Sequence, residues 1–205
     1  MRTRTSFFCL VVLAVLGCLQ HSSTSELKDN TIAAEEVGSR IPEFSVRDME
    51  GHTLSSADLR GKVVLIDFWA TWCQPCKKEM PGYQKLLDRY ASLGFVVIGF
   101  KATMMADTEN PLRFAKKIGV HYPLVVATDA LSQEFGGIEG LPTTLLYDRQ
   151  GVLRKKVIGF EYTNVFESEI KPLLCPPELP CAVDPCKCRP ELRLRVGKNQ
   201  VWRGL

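Results

Sequence analysis

Apolar and polar positions along this chain change their period several times, and each change marks an element. Val63-Val64-Leu65-Ile66 runs into Asp67-Phe68-Trp69 with one polar break, the pattern of a strand buried on both faces at the centre of a sheet. From Met80 the period turns helical, with Tyr83, Leu86, Leu87 and Tyr90 following and Gly94 as the stop. Pro81 is expected to bend this helix without ending it, because the period continues past it. Phe95 to Phe100 is the next buried strand, and Lys101 to Asn110 reads as a loop. Pro111 to Ile118 reads as a helix with Asn110 as cap and proline at its first position. Leu124-Val125-Val126 is a strand, and Leu131 to Phe135 is a short helix closed by Gly136-Gly137.

Thr143 to Tyr147 and Val152 to Ile158 alternate about Asp148-Arg149-Gln150-Gly151, a hairpin signal. Tyr162 to Leu174 carries Val165, Phe166, Ile170, Leu173 and Leu174 on one side, as a closing helix does. Ahead of the central strand, Phe44 and Val46 alternate as a short strand, Glu50-Gly51 turns, and Ser55 to Leu59 forms a single helical turn ended by Gly61. A βαβ first half followed by a hairpin and a helix predicts an α/β fold, a central mixed β-sheet with helices on both faces and one antiparallel edge. No internal repeat is present.

The central strand ends in chemistry. Trp72-Cys73-Gln74-Pro75-Cys76 places two cysteines where the strand's loop turns into the helix. Unpaired N–H groups and the helix dipole make a helix start locally positive, so a thiolate there is stabilised and its pKa falls. Pro75 sits in the first turn, where a missing N–H costs nothing. Cys76 comes a turn later and can close a disulfide with Cys73. The same C-x-x-C spacing also serves as half of a zinc site.

Asp67 lies six residues before Cys73 in an otherwise apolar strand. A carboxylate buried there is expensive unless neutral or hydrogen-bonded, which raises its pKa; a solvated residue at the strand end is the bland alternative. Glu79 follows Cys76 by three residues, and its bland alternative is an exposed position facing Lys77 or Lys78.

Phe68-Trp69-Ala70-Thr71-Trp72-Cys73-Gln74-Pro75-Cys76-Lys77-Lys78-Glu79-Met80-Pro81 resembles the active-site signature of the thioredoxin superfamily. It is most similar to the exported thiol–disulfide oxidoreductases of the TlpA/ResA type. The resemblance covers roughly residues 37–174 and begins with Val37-Gly38-Ser39-Arg40-Ile41-Pro42-Glu43-Phe44-Ser45-Val46. It implies a thioredoxin fold, a redox-active Cys73–Cys76 disulfide, and Cys73 as nucleophile with Cys76 resolving the mixed disulfide.

Asp67 matches the buried acid of thioredoxin itself, where the TlpA/ResA-type relatives often carry Asn. Glu79 matches the acid those relatives place near the dithiol. Gly140-Leu141-Pro142-Thr143-Thr144 resembles the family's cis-proline loop, which makes Leu141 and Pro142 substrate-binding residues, and Trp72 is expected to wall the dithiol while Trp69 serves the fold. A peroxidase is disfavoured, because Thr71 stands two residues before Cys73 where three are expected. His21, His52 and His121 match no motif position.

Composition adds a compartment. The 205-residue chain is 45% apolar, enough for one core, and its formal charge of +3 gives no sign of nucleic acid. Arg2 and Arg4 precede an apolar run from Phe7 to Leu19, the proportions of a signal peptide (residues 1–21) and shorter than a membrane span. Val15-Leu16-Gly17-Cys18 resembles a bacterial lipobox. Lipidation of Cys18, ordinary secretion and an uncleaved anchor remain open. Residues 22–36 read as a linker, and the folded domain is expected over 37–174.

Residues 175–205 form a proline- and cysteine-rich tail outside the resemblance. An exported compartment favours structural disulfides among Cys175, Cys181, Cys186 and Cys188, in any of three pairings. A four-thiolate metal site is the sharper alternative, but its spacings do not match paired C-x-x-C knuckles; a redox relay to the dithiol is the third.

The sequence thus predicts an exported, membrane-tethered, monomeric thiol–disulfide oxidoreductase that needs no cofactor and no metal. The resemblance implies a reductase for disulfides of exported proteins, such as apocytochrome c, recharged by a transmembrane thiol electron donor. A disulfide oxidase or isomerase, and a metal-binding or assembly module working through the tail, are the rival readings.

Overall fold

A computed structural model describes residues 37–107 and 109–174. The expected signal peptide with Cys18, the linker over residues 22–36 and the tail with Cys175, Cys181, Cys186 and Cys188 lie outside the described residues. Within them, β1 (Ser45–Arg47) and β2 (Thr53–Ser55) form an antiparallel pair. A 3-10 turn over Ser56–Leu59 follows, its start closed by a capping box in which Asp58 reaches back to the Ser55 backbone.

The main sheet contains β3 (Val63–Trp69), β4 (Phe95–Ala102), β5 (Leu124–Ala127), β6 (Thr143–Tyr147) and β7 (Leu153–Ile158). Their spatial order is β5-β4-β3-β6-β7. β3, β4 and β5 are parallel, and β6 and β7 add on antiparallel. The run from Val63 to Trp69 is therefore central, and all seven of its residues are buried.

Four helices complete the domain: α1 (Gln74–Tyr90), α2 (Pro111–Lys117), α3 (Asp129–Glu134) and α4 (Thr163–Leu174). Alternation along β3 divides the core in two. Val63, Leu65 and Trp69 point toward α1 and α4 and pack with Met80, Tyr83, Phe166 and Ile170. Val64, Ile66 and Phe68 point the other way, onto Phe44, Leu54, Leu131 and Phe135. Gly99, opposite Asp67 in register, is required by packing: a Cβ there would lie 2.6 Å from Leu124 Cδ2 and 2.9 Å from Trp69 Nε1. Among the described residues no helix is long and apolar enough to cross a membrane.

Several boundaries differ from the sequence expectation. Lys101 and Ala102 belong to β4, because both pair in register with β5. α3 begins at Asp129, two residues earlier than Leu131, since the Thr128 hydroxyl accepts the Leu131 N–H and caps it there. β7 starts at Leu153, after a register shift near Tyr147 that leaves Val152 bridged to Arg40. α1 continues through Pro81 to Tyr90, and Gly94, at φ 85°, closes the 3-10 turn that follows. α4 carries Pro172 in its last turn.

Candidate active site

β3 delivers the chain to the site. Beyond Trp69 the strand ends, and Cys73 occupies the N-cap of α1 with extended backbone angles. Its sulfur accepts the Cys76 N–H at 3.3 Å, one of the donors a helix start leaves unpaired. Cys73 and Cys76 are joined as a disulfide with Cα atoms 5.4 Å apart. Cys73 keeps 4% of its surface and Cys76 none, so an incoming sulfur meets Cys73 first. On reduction, the Cys76 N–H and the helix dipole hold a Cys73 thiolate where a buried Cys76 has no such support.

Asp67 is fully buried, which removes the solvated reading. Its position in the alternation places it with Leu65 and Trp69, on the face covered by α1. The buried face of α1 carries Cys76, Glu79, Met80 and Tyr83 at helical spacing. Glu79 is likewise almost wholly enclosed and does not face Lys77 or Lys78 in solvent.

Neither carboxyl of the pair makes a well-formed hydrogen bond. Burial pushes Asp67 up to about 8. Burial first, and then the charge of Asp67, push Glu79 up to about 9; the Glu161 backbone and the Tyr83 hydroxyl oppose this more weakly. The two acids feel each other's charge, so their protons leave as those of a pair. Tyr83, four residues after Glu79 on the same helix face, places its hydroxyl 3.1 Å from Thr144 Oγ1, and Thr144 pairs with Asp67 across β3 and β6. Burial, and then Asp67, hold the Tyr83 and Tyr122 phenols protonated.

The Leu141–Pro142 peptide is cis, as the loop resemblance implied. Thr143 pairs with Phe68, so this loop enters β6 beside the point where β3 releases the dithiol. Leu141 and Trp72, both half-buried, pack against the cluster that contains Cys73 and Cys76. The Pro142 carbonyl is taken by the Gly159 N–H at 2.7 Å. Trp69 stacks on Phe114 in the core and serves the fold. His121 is exposed and only its backbone is engaged, by Gln84 Oε1.

One arrangement escaped sequence reading. Asp107 accepts the Thr71 hydroxyl at 3.0 Å with one oxygen and meets the Lys101 ammonium at 2.6 Å with the other. The carboxylate thus ties the loop after β4 to the loop carrying Cys73. No local spacing signals a contact made across 36 residues. Thr71 is engaged in this tie, two residues before Cys73.

Over residues 37–156 the sequence matches the AhpC/TSA family. Thiol-disulfide oxidoreductase ResA of Geobacillus thermodenitrificans is 33% identical over 151 residues, 73% of this chain and 83% of that protein. The thioredoxin-like protein YneN of Bacillus subtilis is 34% identical over 124 residues, 60% of this chain and 71% of its own. Among solved structures, a thioredoxin-family thiol:disulfide interchange protein of Chlorobium tepidum superposes with a TM-score of 0.62 at 31% identity, covering 69% of this chain and all of its own. With its helix-capping dithiol and mixed five-stranded sheet, the chain belongs to the AhpC/TSA family and is a thioredoxin-fold thiol–disulfide oxidoreductase.

Proposed function

We propose that this protein reduces disulfides in exported proteins, with Cys73 as nucleophile and Cys76 as resolving thiol. The observation that carries this reading is the Cys73 sulfur at the N-cap of α1, accepting the Cys76 N–H, with Cys76 and the enclosed Glu79 on one buried face of that helix. A Cys73 thiolate attacks one sulfur of the target disulfide, the target S–S bond breaks, and the released target thiolate takes a proton. Ionised Asp67 or Glu79 then accepts the Cys76 proton, the Cys76 thiolate attacks Cys73 Sγ, the bond from Cys73 to the target breaks, and the second target sulfur leaves as a thiolate that takes a proton from that acid or from water. Two electrons and two protons pass to the target, and the Cys73–Cys76 disulfide remains.

Asp67 is the first base in line. With its pKa near 8, about a tenth of it is ionised at pH 7, and its basicity is close to that of a thiol at ~8.5. Leu141 and Pro142 take the target chain. Pro142 has no N–H to offer, and among the described residues the Leu141 backbone makes no hydrogen bond, so its groups are available for an extended strand. Trp72 walls the dithiol beside them. The site is built from one chain and works as a monomer.

Export rests on the signal-like N-terminus. The lipobox-like Val15-Leu16-Gly17-Cys18 supports a lipid anchor at Cys18, the family resemblance supports an apocytochrome c substrate and a transmembrane thiol donor, and an exported compartment supports disulfides among Cys175, Cys181, Cys186 and Cys188. The deciding experiment is the equilibrium potential of the dithiol, in full-length protein with every cysteine except Cys73 and Cys76 replaced by serine. A value near ~−270 mV supports a reductase; one near ~−120 mV makes it an oxidant and reverses the proposal.

A further inference from the structure

Lysine and arginine are almost never fully buried unless paired. Among the described residues Lys101 is the one lysine or arginine that is buried, with 6% of its surface left. It pairs with Trp69 in register across β4 and β3, and register partners on neighbouring strands share a face. Its side chain therefore starts on the face where Trp69, Cys73 and Cys76 pack together, at the end of the sheet where β3 releases the dithiol.

The Lys101 ammonium meets one Asp107 oxygen at 2.6 Å, and the other Asp107 oxygen accepts the Thr71 hydroxyl at 3.0 Å. Thr71 is itself fully buried, and the two residues from it to Cys73 span at most about 7 Å of chain. The pair thus lies within roughly 15 Å of the sulfur. Its two charges are not equally screened: the Lys101 side chain is 8% exposed and that of Asp107 is 24%. Water and salt weaken the field of the carboxylate more than that of the ammonium, which leaves a net positive field at the dithiol. Apolar side chains of similar volume often replace a buried ion pair without loss of stability, so packing alone does not account for an ammonium at this place.

We propose that Lys101 and Asp107 are a charge pair that sets how readily the Cys73 thiol ionises: Lys101 favours the thiolate, and Asp107 limits that effect while holding the pair against the dithiol loop through Thr71. The inference rests on the thiol–disulfide reading and adds two positioning residues to it. At an effective dielectric of ~20, a unit charge ~12 Å away moves a thiol by about one pKa unit, about tenfold in thiolate. The other charged groups around the sulfur are Asp67 on β3, Lys77 and Glu79 on α1, Arg113 on α2, Glu139 ahead of Pro142 and Glu161 past β7. Lys77 is turned toward α2, its ammonium 5.4 Å from the centre of the Phe114 ring. All six stay unaltered in the test, so their effect is common to every variant.

Reduced full-length protein is alkylated with iodoacetamide across a range of pH, and the Cys73 and Cys76 adducts are followed separately by mass spectrometry. The midpoint of the Cys73 rate is expected to rise by about one unit in K101M and to stay in place in K101R, which keeps the charge. In D107N it is expected to fall by about half a unit, because the carboxylate is the better screened of the two. A loosened loop would move K101M and D107N in the same direction; a charge effect moves them in opposite directions. An unchanged midpoint in K101M, shifts of one sign in K101M and D107N, or a K101R shift as large as that of K101M overturns the proposal. If K101M does not fold, D107N decides, and an unchanged or raised midpoint there overturns it. Alkylation of Cys76 ahead of Cys73 in the unaltered protein overturns the nucleophile assignment itself, so the two failures are distinguishable.

Discussion

At the scale of single residues, the unusual feature is two acids enclosed against one face of the central strand, with no ion pair to either among the described residues. Asp67→Asn keeps the shape and removes the base. Resolution of the mixed disulfide should then slow by roughly 10²-fold at pH 7, the lower end of general-base contributions. Its rate should also lose the rise through pH 8 that the raised Asp67 pKa gives the unaltered protein. Stopped-flow pH profiles check this, and an unchanged profile assigns the role to Glu79. Cys76→Ser should leave targets covalently held on Cys73, recoverable as mixed disulfides on non-reducing gels; their absence from cells producing the variant refutes the resolving role.

The same acids set the pH dependence of stability. Unfolded, both carboxyls ionise near pH ~4; folded, they keep their protons to about 8 and about 9. Below pH ~4 both states are protonated and nothing is lost. As pH rises from there through 9, the unfolded chain is increasingly favoured by ionisation, so stability falls. Asp67→Asn should flatten that fall and raise stability at pH 8 by on the order of several kcal/mol, measured by urea unfolding at pH 5 and pH 8.

At the scale of elements, the side chains of Leu124, Trp69 and Tyr122 close over β4 at Gly99 and leave no room for a Cβ. Gly99→Ala would push against Leu124, Trp69 and Tyr122 at once and should cost about 1–3 kcal/mol, read in denaturant unfolding. Asp107→Asn should release the loop after β4 and leave the enclosed Lys101 ammonium without its partner. The expected loss is about 1–3 kcal/mol, since the pair is only partly buried; a double K101M/D107L variant should recover part of it.

Helix and strand periods in the sequence sufficed for these elements, because the periods follow local geometry. The unbroken run from Val63 to Trp69 identified the central strand, and the alternation within it already implied which face Asp67 shares with Leu65 and Trp69. The change of period after the central strand places Cys73 at the helix start, the cis bond before Pro142 follows from motif resemblance, and the disulfide joins the two cysteines of the motif. What could not be read was contact at long separation. The tie between Thr71 and Asp107, the Tyr83–Thr144 hydrogen bond and the enclosure of Glu79 all depend on tertiary packing. Lys101 belongs to β4 and not to the loop expected from residue 101 onward, and its ion pair with Asp107 lets an ammonium lie buried near the end of that strand.

At the scale of the whole domain, the two ends of the described chain share one location. Gly38 donates to the Leu153 carbonyl at the start of β7, and Leu153 lies in the row with Tyr147, Val64 and Val96 at the foot of the sheet. The Leu174 carbonyl is held by Arg149, whose guanidinium also grips the Gly61 and Leu93 carbonyls just ahead of β3 and β4. Entry and exit therefore lie at the edge opposite Cys73, separated from it by the seven-residue length of β3, roughly 20 Å. A domain gripped by that foot holds its sulfur outward like the head of a matchstick. Anything joined at either end of the described residues therefore attaches across the sheet from Cys73, a strand's length away from where a target sulfur arrives.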